Sequence, residues 1–463
     1  MNCERMMLKR YALITSASAA FLTPFMGSAL NLAIPSIGQN LNGSAVMLSW
    51  VVSGFLLTTA ALLLPIGRLA DIVGRKKVFL LGILIFSLFS AFCGFAWSLT
   101  SLIGFRIFQA VGGAMMFSTN IAILTSVYSP EERGRVLGIA VASTYTGLSV
   151  GPALGGVLNH QIGWESIFFF AALLGMATFF FAVTKLKGEW ADAKGEFFDL
   201  PGAVIFMVGI AATIYGFSSI AASLQAKYIF GAGVILLAAF VHHEMKTKQP
   251  LINIRLFSGN VTFAFSSLAA LINYSATFAL GFLLSLYLQI IRGFDSQVAG
   301  LILLSQPVLM ASLSPFAGRL SDRIAPRIVS SWGMGLTALG LIAFVFLGQS
   351  TPIWRIVLAL IVIGVGFALF SSPNTNAVMG SVEKKFYGVA SSTIGTMRIL
   401  GQAVSMAIST LIIHRYLGDV ELSRASQHTL GTSISTSFAI FAVICFAGVF
   451  ASLARGNIKV VKS

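Results

Sequence analysis

The sequence predicts an all-α integral membrane protein with fourteen transmembrane helices, in two six-helix bundles with two inserted central helices. The first observation behind this prediction is composition: 57% of the 463 residues are hydrophobic and only 10% are charged. Soluble domains carry about a quarter charged residues, so a fold solvated by water on all sides is excluded. The other two observations are a one-sided distribution of basic residues and an internal repeat.

The apolar residues fall into runs long enough to span a bilayer. A spanning helix needs about 20 mostly apolar residues. Fourteen runs of this kind are bounded by charges or turn residues, near 11–36, 47–66, 78–98, 101–127, 135–158, 165–184, 200–220, 227–243, 262–290, 298–317, 328–347, 353–376, 388–413 and 433–454.

The net charge of +15 would suggest a nucleic-acid partner in a soluble protein, but here its distribution sets topology. With a cytoplasmic N-terminus, most of the 30 Lys and Arg residues fall in cytoplasmic segments. Arg106 and Arg398 lie within spans. Omitting one of the two middle helices would place the later basic loops on the outer side, so the even number of fourteen spans is preferred. We therefore expect a multi-pass plasma-membrane protein with both termini cytoplasmic. The opposite side receives five basic residues, Lys227, Arg292, Arg355, Arg415 and Arg424.

Two short strings recur at matching places in the helix order. The string GRLAD at 67–71 follows the second span, and GRLSD at 318–322 follows the tenth, 251 residues later. Gly134 after the fourth span has a counterpart in Gly388 after the twelfth, 254 residues later. We therefore expect a six-helix half at 1–186, a linker with two extra helices at 187–257, and a second half at 258–463. Parallel repeats of this kind enclose a central pathway in many transporters.

Several longer strings resemble one family. They are GRLADIVGRK at 67–76, RIFQAVGGA at 106–114, GLSVGPALGG at 147–156, PLINIRLF at 250–257 and YLQ at 287–289. The sequence resembles the major facilitator superfamily, in particular its fourteen-helix drug:proton antiporters, over essentially its whole length. The resemblance implies a secondary active exporter of small hydrophobic compounds, driven by proton antiport through alternating access, without a cofactor or a metal.

The resemblance implies a conformational latch in the loop after the second span and in its repeat. A carboxylate there can hold a facing helix through the dipole at its N-terminus, while arginines pair with acids across the two halves. The alternative is that these loops only supply topology-setting charge. The latch candidates are Gly67, Arg68, Asp71, Gly74, Arg75, Arg319 and Asp322.

The coupling site is harder to find, because none of the fifteen acids falls near the bilayer centre. Arg106 could face the bundle interior, since a guanidinium in lipid is costly, or its side chain could reach the interface. Arg398 is its counterpart in the thirteenth span. Glu165 and Asp295 are the nearest carboxylates, either coupling groups or ordinary interfacial acids. The antiporter branch usually has an acid in its first helix, where this chain has Met26.

Polar and adaptable apolar residues within the spans are candidates for a substrate cavity. Each polar side chain could equally be a satisfied hydrogen bond between helices. The glycine-rich string in the fifth span could be an antiporter signature or plain close packing. The cavity candidates are Phe25, Asn31, Gln109, Met116, Phe117, Asn120, Tyr145, Asn273, Tyr274, Gln306, Asn374 and Gln402, and the helix-five signature is Gly147, Gly151, Pro152, Gly155 and Gly156.

Other functions remain open at this point. Arg106 and Arg398, with few acids to balance them, favour an anionic or lipid-like substrate as an alternative to a hydrophobic drug. A non-transporting membrane sensor is a further alternative. An intramembrane enzyme is disfavoured, because the histidines lie in loops or at helix ends and no hydrolase or metalloprotease string is present. We expect a monomer in the bilayer, with protons and a small molecule as partners and no nucleic acid.

Overall fold

The computed structural model describes residues 2–41, 45–218, 220, 224–252, 257, 259–294, 296–417 and 427–456. Within them, 14 helices are long and apolar enough to cross a membrane, which confirms the predicted number. We number them α1 Asn2–Asn40, α2 Ala45–Val73, α3 Arg75–Gly94, α4 Leu99–Val127, α5 Pro130–Gln161, α6 Glu165–Lys185, α7 Leu200–Ser218, α8 Leu224–Lys246, α9 Val261–Leu286, α10 Val298–Arg323, α11 Pro326–Val345, α12 Ile353–Gly380, α13 Tyr387–Leu417 and α14 Gln427–Leu453.

Local sequence explains where several helices begin. Ser98 and Ser101 form a capping box at the start of α4, and Ser129 with Glu132 forms one at the start of α5, where Pro130 occupies the first turn. Such caps satisfy backbone N–H groups that have no partner within the helix. Gly74 joins α2 to α3 with a φ of 125°, a conformation that only glycine adopts readily.

The helices form two six-helix bundles, α1–α6 and α9–α14, with the hairpin α7–α8 inserted between them in the chain. One apolar core lies within the first bundle and a second within the last. The hairpin packs against both bundles, because Phe206 and Ile210 of α7 share a cluster with Leu64 of α2 and Val389 of α13. The boundaries 186/187 and 257/258 remain the prediction made from the repeat.

A close contact between glycines of neighbouring helices occurs at equivalent places in both bundles and supports the internal repeat. A methyl group built on Gly112 of α4 would lie 2.6 Å from the carbonyl oxygen of Gly82 in α3. In the second bundle, a methyl group on Gly366 of α12 would lie 2.6 Å from the carbonyl oxygen of Gly333 in α11. These pairs are spaced by the same 251 and 254 residues as the strings found in the sequence. Close backbone contact therefore fixes the same helix pair in each half.

Candidate functional site

Asp71 joins the two bundles at one end of the molecule, which we call the latch end. Its carboxylate is fully buried and accepts hydrogen bonds from the backbone N–H groups of Gly388 (3.0 Å) and Val389 (3.2 Å) in the first turn of α13. A carboxylate at a helix N-terminus is stabilised both by these donors and by the helix dipole. Asp71 of the first bundle therefore caps a helix of the second.

Asp322 makes the reciprocal contact from the second bundle. Its carboxylate accepts from the backbone N–H groups of Gly134 (2.8 Å) and Arg135 (3.1 Å), near the N-terminal end of α5. The side-chain amide of Asn376 donates to the same carboxylate at 3.4 Å. The two repeated strings thus place one aspartate each on the opposite bundle. Arg319, predicted beside Asp322, is exposed.

Glycine allows the backbones to touch beside each aspartate. A methyl group on Gly388 would lie 2.4 Å from the carbonyl oxygen of Gly67, and one on Gly318 would lie 2.0 Å from that of Gly134. Real side chains do not approach backbone atoms so closely. We call these two contacts, α2 with α13 and α5 with α10, the glycine crossings.

Arg75 organises the charges around Asp71. Its guanidinium is fully buried and pairs with Asp71 at 2.7 Å and with Asp192 at 2.8 Å. It also donates to the carbonyl oxygen of Lys384 in the second bundle, at 2.5 Å. The guanidinium groups of Arg75 and Arg133 lie 5.5 and 5.4 Å from the centroid of the Tyr387 ring. The hydroxyl of Tyr387 accepts a hydrogen bond from Arg133 at 2.8 Å. Buried charges are therefore paired or hydrogen-bonded, as burial requires.

The segment 187–199 runs across this end of the first bundle, and we call it the strap. Its acids at 189, 192 and 196 contact residues at the end of α2 and the start of α3. Besides the Asp192 pair, Glu196 forms an ion pair with the buried Arg68, and Glu189 accepts from the backbone N–H of Lys76 at 2.9 Å. The backbone N–H of Ala193 donates to the carbonyl oxygen of Asp71 at 3.1 Å. The strap was not predicted from the sequence, although its acids at 189, 192 and 196 were a visible signal.

A cavity of about 70 Å³ lies between the bundles, toward the middle of the spans. Sites for drug-sized ligands are commonly about 300–1,000 Å³, so the substrate must be admitted by movement of the bundles. The predicted residues Met116, Phe117, Asn120, Tyr145 and Tyr274 line it. Arg398, predicted as a coupling group, also lines it, as do small polar residues that were not predicted from the sequence. These are Thr23, Thr144, Ser371 and Thr375.

Among the described residues that line the cavity, Arg398 and Asn120 each have a buried polar side-chain atom without a hydrogen-bond partner. The guanidinium of Arg398 lies 4.0 Å from the centroid of the Phe117 ring, and its Nε is buried without a partner. Asn120 donates from Nδ2 to the carbonyl oxygen of Ser16 at 3.1 Å, and its Oδ1 is buried without a partner. Of the described side chains that line the cavity, none is acidic.

Asn374 is the repeat counterpart of Asn120, and it lies outside the cavity lining. Its Nδ2 donates to the carbonyl oxygen of Ser266 at 3.1 Å, the same contact to the first helix of its own bundle. Its Oδ1 accepts from Nη1 of the buried Arg455 at 2.7 Å. Burial lowers the pKa of Arg455 to about 9. The paired asparagines therefore differ in two ways: Asn120 lines the cavity and its Oδ1 is unused, whereas Oδ1 of Asn374 accepts from Arg455.

Arg106 faces the interior of the first bundle and does not line the cavity. It is buried, donates to the carbonyl oxygen of Val51 at 3.1 Å and to the side chain of Gln109, and lies 4.3 Å from the centroid of the Phe55 ring. Gln109 in turn donates to Ser90. Gln109, predicted for the cavity, is therefore held in this network by its neighbours.

The remaining candidates have other surroundings. Phe25 is buried and stacks on Phe21 at 5.4 Å between ring centroids, so it serves the core. Asn273 is fully buried, and both of its amide atoms are without a partner. Gln306 and Gln402 are half-buried and do not line the cavity, and neither does Glu165 at the start of α6. Asp295 and the side chain of Asn31 lie outside the described residues.

The helix-five signature forms the contact between α5 and α1. A methyl group on Gly147 would lie 2.5 Å from the carbonyl oxygen of Phe21, and one on Gly155 would lie 2.5 Å from the Cβ of Ala29. Gly151 faces Ser28 in the same way. Pro152 lies inside the helix, and it and Gly156 are half-buried. Close packing accounts for the glycine spacing here.

Comparisons with known proteins agree with this architecture. Residues 16–242 and 266–460 match the family described as Major Facilitator Superfamily. The human organic anion transporter MFSD10 has a similar fold, with a TM-score of 0.64 over 95% of this chain and 98% of that one, at 16% identity.

Two sequence relatives match over most of the chain. The riboflavin transporter RibZ of Clostridioides difficile is 28% identical over 445 residues, 95% of this chain and 96% of that protein. The multidrug resistance protein Stp of Mycobacterium tuberculosis is 28% identical over 414 residues, 88% of this chain and 76% of that protein. With two six-helix bundles, a cavity between them and a family match over most of its length, this chain belongs to the Major Facilitator Superfamily of membrane transporters.

Proposed function

We propose that this protein is a secondary transporter that exports small hydrophobic compounds by alternating access, in exchange for protons. The observation that carries the proposal is the central cavity between two bundles that are joined at the latch end by reciprocal bonds from aspartates to backbone N–H groups. Because a cavity of about 70 Å³ is too small for a drug-sized ligand, the bundles must separate for binding. Opening and closing at the two ends in turn is how such a molecule moves a solute.

The names of the relatives support transport of small molecules, and one of them supports drug efflux. Stp is named a multidrug resistance protein, and RibZ is named a riboflavin transporter. We further propose that the protein acts as a monomer in the plasma membrane, with the latch end and both termini in the cytoplasm. The one-sided distribution of Lys and Arg supports this orientation.

A counterflow screen in proteoliposomes tests the proposal. Cationic, neutral and anionic aromatic compounds are offered to purified protein, with and without an imposed pH gradient, while a trapped pH dye reports proton movement. We expect counterflow of at least one compound and proton movement in the opposite direction. Failure of every compound to exchange would refute transport, and exchange without proton movement would refute antiport.

A second candidate function is transport of an anionic metabolite. Arg398 favours it, because a cation without an acidic neighbour in the cavity lining repels cationic compounds and attracts anions. The same screen separates the two candidates by the charge of the compounds that exchange.

A further inference from the structure

The charges of the described side chains that line the cavity are not balanced. Arg398 brings a positive charge, and none of the described side chains that line the cavity brings a negative one. Its Nε is buried without a hydrogen-bond partner, and the Phe117 ring at 4.0 Å offers only the partial compensation of a cation–π contact. Arg398 is half-buried, and a guanidinium in such a place is stabilised when an anion or several acceptors surround it. A ligand with an anionic group would therefore complete the surroundings of Arg398.

Asn120 provides the complementary half. Its Nδ2 is engaged by the Ser16 carbonyl, which holds the amide so that Oδ1 is the free atom. Oδ1 is buried and has no partner, and the residue lines the cavity. At the repeat position, Oδ1 of Asn374 is satisfied by Arg455. No described protein group does the same for Asn120, so a donor that reached this part of the cavity wall would find an acceptor there.

Aromatic rings from both bundles form the walls around these two groups. Tyr145 of α5 and Tyr274 of α9 both pack edge-on against Phe367, at 5.8 and 5.4 Å between ring centroids. Tyr145 also neighbours Arg398 and Ser371. Such walls favour a flat ring system, which stacks on or meets these rings edge to face.

Resting on the proposed transport function, we propose that the cavity selects planar aromatic weak acids that also carry a hydrogen-bond donor. Arg398 binds the anionic group, and Asn120 Oδ1 accepts from an N–H or O–H of the same molecule. A charge-assisted hydrogen bond changes affinity by about tenfold to a hundredfold. Selection by Arg398 and Asn120 therefore gives a measurable preference among compounds with one ring skeleton.

The test uses three fluorescent coumarins and detergent-purified protein, with binding measured by fluorescence anisotropy. 7-Hydroxycoumarin-3-carboxylate carries both groups, 7-methoxycoumarin-3-carboxylate lacks the donor, and 7-hydroxycoumarin lacks the anion. The buffer is mildly acidic so that the phenol keeps its proton. We expect wild-type protein to bind the first compound at least about tenfold more tightly than either of the others.

Variants assign the preference to residues. Arg398→Gln is expected to reduce the preference for the carboxylate to less than about twofold while leaving affinity for 7-hydroxycoumarin unchanged, and Arg398→Lys to keep part of it. Asn120→Ala is expected to remove the preference for hydroxy over methoxy. Arg355→Gln, which removes an exposed positive charge, and Asn374→Ala, which loses the equivalent bond to a first helix, are the matched controls.

Three outcomes would overturn the proposal: equal wild-type affinity for charged and neutral coumarins, equal loss of both in Arg398→Gln, or the same effect from Asn374→Ala as from Asn120→Ala. Size-exclusion profiles and melting temperatures identify a variant that has lost its fold. If Arg398→Gln does not fold, the preference for the carboxylate is measured in Arg398→Lys instead. Proteoliposome exchange of the same compounds separates the two claims. Exchange of all three compounds regardless of charge would support transport and overturn this inference. The binding preference without any exchange would support this inference and refute transport.

Discussion

Neutralising Asp71 is expected to open the latch end. In Asp71→Asn, the single amide oxygen can accept from only one of the two backbone N–H groups of α13, and the other is left facing an NH₂ group. Loss of the negative charge also removes its attraction to the helix dipole, which reaches about 2 kcal/mol when partly buried. Arg75 keeps Asp192 at 2.8 Å and the Lys384 carbonyl, which limits the cost of breaking its pair with Asp71.

These terms give a loss of about 2–3 kcal/mol from the closed state, or about 30- to 150-fold in its population relative to open states. Asp322 provides the internal comparison, because it accepts from two backbone N–H groups in the second turn of α5, beyond its capped first turn, and is bonded to Asn376 instead of an arginine. Asp322→Asn is therefore expected to cost less, about 1–2 kcal/mol.

The assay is double electron–electron resonance between spin labels at Lys77→Cys and Glu383→Cys, both exposed, in a chain whose natural cysteines have been replaced. Asp71→Asn should add a population at longer distances, and Asp322→Asn a smaller one. Transport should fall, because a latch end that no longer closes interrupts the alternation between open and closed states. An unchanged distance distribution in Asp71→Asn, or a larger opening in Asp322→Asn, would refute the reasoning.

Three further predictions concern the crossings, the coupling site and the topology. Gly388→Ala should open the latch end in the same resonance assay, because its methyl group would lie 2.4 Å from a facing carbonyl oxygen, whereas Gly380→Ala, with open space around it, should not; equal effects would contradict the crossing. Glu165→Gln should lower transport driven by a pH gradient more than Asp295→Asn does, and normal transport by both would exclude these acids as coupling groups. A cysteine at Ser463 should react with a maleimide only after the cytoplasmic side is exposed, and labelling from outside would refute the fourteen-helix topology.

Most of the architecture could be predicted from the sequence, because the bilayer imposes a length on every span and the basic loops constrain the number of spans. The recurrence of Asp71 at Asp322 located both latch residues, since a string repeated at the same place in the helix order occupies the same place in space. The cavity was located less well. A polar residue in a span looks the same whether it faces a cavity or a neighbouring helix, so Gln109 and Asn374 could not be distinguished from Asn120. That distinction depends on helix rotation and on partners distant in sequence, such as Arg455.

The strap shows a different limit. Its acids were visible in the sequence, but their targets Arg68 and Arg75 precede them by more than a hundred residues. Local patterns specify helix periodicity and caps, whereas ion pairs between distant segments depend on the final packing. The same argument applies to Arg106, which the sequence left between two orientations and which the packing of Phe55 and Val51 decides.

The glycine crossings have a mechanical consequence. At each of them, two backbones meet with no side chain between them, so the bundles can rotate there without unpacking interlocked side chains. Such a contact acts as a fulcrum. From Gly67 to Trp50 near the other end of α2 is about 25 Å at 1.5 Å per residue. A rotation of about 10° would move that end by about 4 Å, roughly the thickness of an aromatic ring. A lever of this length turns a small tilt at the latch end into an entrance for a flat molecule at the opposite end.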